Sequence, residues 1–287
     1  MERRNLHRLL LSTAFHQPFS IYIYRNLNYD LRMSQSTKVF VHGNPETSAV
    51  WSLLVAELES RGVDNIVLLT PPGFGAPTPT GWGGTMREYR DWLINELDNI
   101  DGPIDLVAHD WGAGHAYGAL AARPNIVRSW ATDCIGMLHP DYIWHDAAQA
   151  WQTPNIGEQI VAGMVAMSDQ DFADHFSSQG MTREIAVDVK SHINDEFARC
   201  ILTLYRSAAQ PAIATAGKLF TTAAPPNGLA IIATNDHYVG TVEDMKSVAK
   251  SVNAATATIN DAGHWWMCSH PEQAASILIE HWASITN

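Results

Sequence analysis

The stretch Leu106-Val107-Ala108-His109-Asp110-Trp111-Gly112-Ala113-Gly114 decides the fold of this chain. An apolar run ends here at charged residues, and small residues then lead into a pattern typical of a helix. A buried strand, a tight turn and a helix in this order form a nucleophile elbow, whose strained central residue tolerates only small neighbours two positions away. The central residue is Asp110. Its carboxylate, with an ordinary pKa of about 4, can attack carbon without a base, so we predict chemistry through an ester on this side chain.

The composition of the chain limits its class and its partners. Its 287 residues are 46% hydrophobic, which is enough for a large core. The net charge of -12 disfavours nucleic acid and anionic membranes as partners. Three scattered cysteines cannot form a disulfide framework, so we expect a reducing compartment and a cytoplasmic location. No apolar run in the sequence has the length of a membrane span.

The first 32 residues differ in charge from the rest of the chain. They contain five arginines and only two acidic residues, whereas the whole chain is acidic. We interpret residues 1–32 as an N-terminal extension whose order the sequence does not define, with Met33 as the natural start. Residue 33 begins a short polar segment that runs directly into the first strand pattern.

Strand and helix patterns alternate from Lys38 onward. Thr85-x-x-Glu88 is a capping box, which predicts that a helix begins there. The predicted strands are 38–42, 66–70, 105–109, 127–132, 229–234 and 255–259. Strands that are apolar on both faces and separated by helices indicate a mostly parallel sheet covered on both sides, which is an α/β fold.

The alternation stops between Pro140 and Pro226. Aromatic residues and methionines recur there at helical spacings, and no clear strand pattern is present. We therefore predict a helical cap over residues 140–226, inserted after the fourth strand. The core would then consist of residues 33–139 and 227–287.

Three motifs in order carry a resemblance to a known family. They are His42-Gly43-Asn44-Pro45-Glu46, His109-Asp110-Trp111-Gly112 and the late Gly263-His264. Together they resemble the α/β-hydrolase fold, and within it the branch of haloalkane dehalogenases and epoxide hydrolases that use an aspartate nucleophile. The resemblance covers nearly all of the chain outside the N-terminal extension. It implies a hydrolase that forms an Asp-alkyl ester and needs no cofactor.

The resemblance also assigns the remaining members of a catalytic triad. His264 is the expected base, because histidine can take a proton from water near neutral pH. A carboxylate should orient it, and two candidates follow predicted strands: Asp236, which we prefer, and Asp133 as the alternative. The other histidines lack the spacing of a metal site, so we expect no metal.

The leaving group depends on residues outside the triad. Asn44 and Trp111 resemble the two halide-holding residues of dehalogenases, and their backbone N–H groups would form the oxyanion hole. Epoxide hydrolases share the tryptophan but usually carry an aromatic residue in place of Asn44. Tyr205, in Leu204-Tyr205-Arg206, resembles one of the two cap tyrosines that activate an epoxide, and Glu46 also leans toward that branch.

The sequence therefore favours a haloalkane dehalogenase acting on a small apolar organic substrate. An epoxide hydrolase that yields a vicinal diol is the main alternative. An ester or lactone hydrolase, or a ligand-binding protein that keeps the fold without catalysis, remains open as well.

Overall fold

The computed structural model describes residues 36–285, so the predicted extension at 1–32 lies outside the described residues. The described chain forms a six-stranded parallel sheet in the order β2-β1-β3-β4-β5-β6. The strands are β1 (Thr37–Val41), β2 (Ile66–Leu69), β3 (Ile104–Ala108), β4 (Ser129–Thr132), β5 (Gly228–Ala233) and β6 (Ala255–Ile259). The predicted α/β fold and all six predicted strands are confirmed.

The burial of each strand matches its position in the sheet. The four inner strands are buried along their whole length, whereas β2 and β6 at the two edges are partly exposed. Val41 pairs with Ala108 in the register of β1 and β3, so these two strands end side by side. Because all the strands are parallel, the loops that follow them meet at one edge of the sheet, where α/β proteins bind their ligands.

Helices cover the sheet in two layers. The helices of the core are α1 (Ser52–Ser60), α2 (Met86–Asp98), α3 (Trp111–Ala122), α10 (Val242–Ser251), α11 (Trp266–Ser269) and α12 (Pro271–Ser284). In one layer α2 packs on α3, and in the other α1 packs on α11 and α12. The predicted capping box begins α2: Glu88 N donates to Thr85 Oγ1 at 3.3 Å, and Thr85 N donates to Glu88 Oε2 at 3.0 Å.

Six helices and no strand lie in the segment 140–226 of the described chain. They are α4 (Asp146–Gln152), α5 (Ile156–Ala166), α6 (Asp169–Ser177), α7 (Arg183–Ser191), α8 (Asp195–Ser207) and α9 (Ala212–Ala223). Helices α4, α5 and α8 pack together, and α6 packs on α7, whereas α9 packs on α3. The division into a core and a cap with the bounds given above stays a prediction. Among residues 36–285, no helix combines the length and the apolar character that crossing a bilayer requires.

Candidate active site

Asp110 lies in a strained turn between β3 and α3. Its backbone is left-handed, with φ 51° and ψ -126°, a region that a residue with a side chain rarely adopts. A Cβ on Gly112 would stand 2.4 Å from the carbonyl oxygen of Val41, and one on Gly43 would stand 2.5 Å from the backbone N of Trp111. Only glycine fits at these two positions, so the strand, turn and helix predicted for an elbow are present.

His264 faces Asp110 from the loop after β6. Its Nε2 lies 3.8 Å from Oδ1 of Asp110, and its Nδ1 is hydrogen-bonded to Oδ2 of Asp236 at 2.8 Å. Burial lowers the pKa of His264, but the charge of Asp236, the hydrogen bond to it and the nearby carboxylate of Asp110 outweigh burial and raise the pKa to about 10. Burial raises the pKa of Asp110, and the nearby His264 opposes that rise in part. The pair therefore favours a charged His264, whose charge opposes protonation of Asp110.

Asp133 lies on the other side of the elbow and contacts a different histidine. Its Oδ2 is hydrogen-bonded to Nδ1 of His109 and accepts from Nε1 of Trp266, the latter at 2.6 Å. Its Oδ1 accepts from the backbone N–H of Asp110 at 3.1 Å. Of the two carboxylates that the sequence left open, Asp236 is the one at Nδ1 of His264.

Asn44 and Trp111 lie beside Asp110 in the wall of a cavity. Asn44 is only 3% exposed, and neither its amide oxygen nor its amide nitrogen has a hydrogen-bond partner among the described residues. Trp111 is 1% exposed, and its ring lies edge-on to that of Tyr205. Buried amides normally find partners, so the free amide of Asn44 indicates a place for a ligand.

Tyr205 reaches the same cavity from α8. Its ring contacts those of Trp111 and Trp151, with centroids 5.3 and 4.7 Å away. Burial, and after it the charge of Asp110, raises the pKa of Tyr205 well above its usual range. The hydroxyl is therefore protonated at neutral pH. Tyr142, the other tyrosine early in this segment, donates its hydroxyl to the backbone oxygen of Tyr238 at 2.8 Å.

His145 lines the cavity as well, and the sequence analysis did not single it out. Burial and the nearby His264 lower the pKa of His145 to about 4, so its ring is neutral. Its Nδ1 accepts from the backbone N–H of Ala148 at 3.3 Å, which leaves the ring proton on Nε2. The residue precedes a helix as its N-cap, and no feature of the sequence marks it as different from any other N-cap.

The cavity has a volume of about 570 Å³, and aromatic and aliphatic side chains form most of its wall. Ile160 and Met164 on helix α5, and Met167 directly after that helix, line the cavity together with the aromatic rings around Tyr205. Among the described residues that line it, none is a lysine or an arginine. Such a cavity fits a small apolar molecule and lacks a cationic group for a substrate carboxylate.

Three overlapping groups of buried side chains have ligand atoms within 4.8 Å of one another, close enough for a cation: Glu46 with His109 and His264, His109 with Asp133 and Cys134, and Cys134 with Asp236 and His264. The carboxylates and imidazoles among them already bond to each other or to N–H groups. A cation would have to displace those hydrogen bonds. The three cysteines are buried and free.

A family model described as "Alpha/beta hydrolase family" matches residues 39–277, most of the chain. The chain belongs to the alpha/beta hydrolase family. The predicted resemblance is thereby confirmed at the level of the family.

Known relatives of this alpha/beta hydrolase include dehalogenases. A haloalkane dehalogenase from Mesorhizobium japonicum is 30% identical over 151 residues, which are 45% of this chain and 43% of that protein. The matched stretch thus spans less than half the length of this curated relative.

Solved structures share the fold at lower sequence identity. A loop variant of the haloalkane dehalogenase DbeA from Bradyrhizobium elkanii has a TM-score of 0.67 at 17% identity, covering 88% of this chain and 92% of the other. Cfl2 from Burkholderia cenocepacia has a TM-score of 0.66 at 23% identity, covering 86% and 88% of the two chains. These similarities establish the fold of this alpha/beta hydrolase. The substrate has to be inferred from the residues that line the site in this chain.

Proposed function

We propose that this alpha/beta hydrolase is a haloalkane dehalogenase, which converts a small apolar halide to an alcohol through an ester on Asp110. The observation that carries the proposal is the buried amide of Asn44, which has no partner among the described residues and lies beside Asp110 and Trp111. A leaving halide needs hydrogen-bond donors, and the described lining of the cavity offers N–H groups but no lysine or arginine. The likeness to the Mesorhizobium dehalogenase supports the same choice.

In the first step, Asp110 attacks the carbon that bears the halogen. One carboxylate oxygen forms a bond to the carbon as the carbon–halogen bond breaks, and the halide leaves with the bonding electrons. The amide N–H of Asn44 and the indole N–H of Trp111 receive the ion.

In the second step, water hydrolyses the ester. His264 takes a proton from the water, and the oxygen attacks the carboxyl carbon of Asp110. The backbone N–H groups of Asn44 and Trp111 stabilise the oxyanion. As it collapses, His264 returns its proton to the departing alkoxide to give the alcohol, and the second proton of the water leaves to solvent, which restores the carboxylate. Esterification removes the negative charge of Asp110, so the pKa of His264 falls when the base is needed.

The proposal needs neither a metal nor a cofactor, since every proton and electron pair is carried by Asp110, His264 and water. An apolar cavity strips water from the attacking carboxylate and favours an uncharged substrate. The cytoplasm stays the expected location on the grounds of the three free thiols.

The decisive experiment traps the ester. In His264→Gln the first step should proceed while the second stalls, so mass spectrometry after treatment with a brominated alkane should show an alkyl group on the peptide containing Asp110. The double variant with Asp110→Asn is the control and should stay unmodified. An unmodified peptide in His264→Gln, under conditions where the native protein releases bromide, would rule out the mechanism.

An epoxide hydrolase is the second candidate, and Tyr205 with His145 supports it. Both side chains line the cavity with Asp110, and their rings lie 6.3 Å apart. The protonated hydroxyl of Tyr205 and the Nε2 proton of His145 could together donate to the oxygen of an epoxide ring. Parallel incubation with styrene oxide and with a brominated alkane separates the two, because diol forms in one case and bromide in the other.

A further inference from the structure

Beneath the elbow, His109 is held between two carboxylates. The ring is fully buried, with Nε2 at 2.8 Å from Oε1 of Glu46 and Nδ1 hydrogen-bonded to Oδ2 of Asp133. The steps proposed for catalysis do not use it. Its ring centroid nevertheless lies 4.6 Å from that of His264.

The hydrogen bonds around the two carboxylates determine the charge of this ring. Glu46 accepts from Gly43 N at 3.0 Å on Oε2 and from the indole of Trp265 at 2.6 Å on Oε1. Asp133 accepts from the backbone N–H of Asp110 on Oδ1 and from the indole of Trp266 on Oδ2.

All four oxygens thus receive an N–H, which is the environment of ionised carboxylates. A neutral imidazole would turn a lone pair toward one of them. Both nitrogens of His109 therefore carry protons.

We propose that His109 is a doubly protonated positioning residue that ties the nucleophile elbow to the loop of the catalytic base. Through Asp133 it is linked to the backbone N–H of Asp110. Through Glu46 and Asp133 it is linked to Trp265 and Trp266, the two residues that directly follow His264. The network thus determines the separation of His264 and Asp110. The expected effect of His109 on the reaction rate rests on the proposed function, whereas the double protonation of its ring does not.

The charge of His109 also acts on the base. The imidazolium lowers the pKa of His264 and favours the ionised form of Asp110. The other titratable groups around it are Glu46, Asp133, Cys134 and His42. Burial lowers the pKa of His42 to about 4 and raises that of the Cys134 thiol, so both are neutral. Removal of His109 would leave two carboxylates without their cation and make His264 harder to deprotonate.

The charge can be measured without any substrate. In the full chain labelled with ¹⁵N-histidine, we expect two sets of imidazolium nitrogen shifts above neutral pH, one from His109 and one from His264. The set of His109 should be absent in His109→Gln and present in His264→Gln, which lacks only the other set. His115 supplies the neutral reference in the same spectrum, since its two ring nitrogens have no partner among the described residues and burial lowers its pKa to about 3. Neutral shifts for His109 would overturn the proposal.

Kinetics test the positioning role. We expect His109→Gln to lower kcat for ester hydrolysis by about 100-fold with little change in KM, because misplacement by about 1 Å costs that much. The acid limb of its pH profile should move to higher pH. Glu46→Gln removes a negative charge that favours charged His264, so it should move the same limb to lower pH, which covers the case in which His109→Gln does not fold. His281→Gln is the matched control, a buried histidine on α12.

An unchanged kcat and pH profile in a folded His109→Gln variant would contradict the positioning role. If the native protein turns over neither a bromide nor an epoxide, the proposed function fails while the nitrogen shifts still decide the charge of His109.

Discussion

Asn44 shows how much one side chain can decide at the scale of the residue. A buried amide without a partner among the described residues costs free energy that the fold does not recover in the free protein. A halide or another acceptor would satisfy its N–H. Asn44 would therefore lower the stability of the free protein and also bind the leaving group. Substitution of Asn44 allows the effect on stability and the effect on catalysis to be measured separately.

We expect Asn44→Ala to reduce the rate of ester formation from a brominated alkane by about 100-fold, as the loss of one preorganised donor does elsewhere. Its free energy of unfolding should change little, because an unsatisfied amide is lost with it. Stopped-flow measurement of bromide release and urea denaturation give the two numbers. Tyr205→Phe is the comparison and should keep most of the bromide activity. If diol formation from an epoxide is lost in Tyr205→Phe but kept in Asn44→Ala, the epoxide hydrolase is favoured.

The sequence could predict that Asp110 lies in a tight turn after a strand and that His264 lies in the loop after the last strand, because each sits in a short motif whose local geometry follows from its neighbours. It favoured Asp236 over Asp133 only by the residue type usual at that place, since both follow a strand and their contacts depend on side-chain direction. In the structure Asp133 turns to His109 and Trp266, whereas Asp236 turns to His264. The hydrogen-bond network of Glu46, His109 and Asp133 joins the segments after three different strands. No pattern within a single stretch of sequence could therefore predict it.

At the scale of the element, the elbow depends on close backbone contact between β1 and α3. The sequence predicted the strand, the turn and the small residues, and it placed the capping box of α2 correctly, because these depend on local sterics and hydrogen bonds. Packing between distant segments was harder. Helix α9 follows the aromatic segment in sequence but packs on α3, a contact that helical spacing alone cannot indicate.

Two helical glycines test the sterics of the elbow. We expect Gly112→Val to lose the folded state or most of its stability, because even its Cβ would lie 2.4 Å from the carbonyl oxygen of Val41. Gly163→Ala in α5 is the matched control. No atom stands within 4 Å of its added Cβ, so it should gain about 0.5–1 kcal/mol from helix propensity. Circular dichroism with urea denaturation measures both, and a Gly112→Val variant as stable as the native protein would contradict the steric argument.

At the scale of the whole molecule, the site concentrates charge in the core. Glu46, Asp110 and Asp133 are buried around two histidines whose pKa values are raised. For His264 the folded pKa is about 10 against 6.5 for an ordinary histidine. Stability from this group is therefore fully present below pH 6.5 and is lost as the pH rises toward 10.

We expect the free energy of unfolding to fall between pH 7 and pH 10, and to fall less in His264→Gln, which lacks the titrating group. Urea denaturation at several pH values gives both curves, with His281→Gln as the control that should follow the native protein. Parallel curves for the native protein and His264→Gln would show that the pKa of His264 is not raised by folding.

The hydrogen bond from Trp265 to Glu46 joins residues 219 positions apart in the chain. Contacts of such long sequence separation form slowly, because a large loop must close before they stabilise anything. The site therefore cannot assemble until the chain has folded from β1 to the loop after β6. During refolding, the helical signal in circular dichroism should return before activity. The return of activity would report the contact between the loop after β1 and the loop after β6.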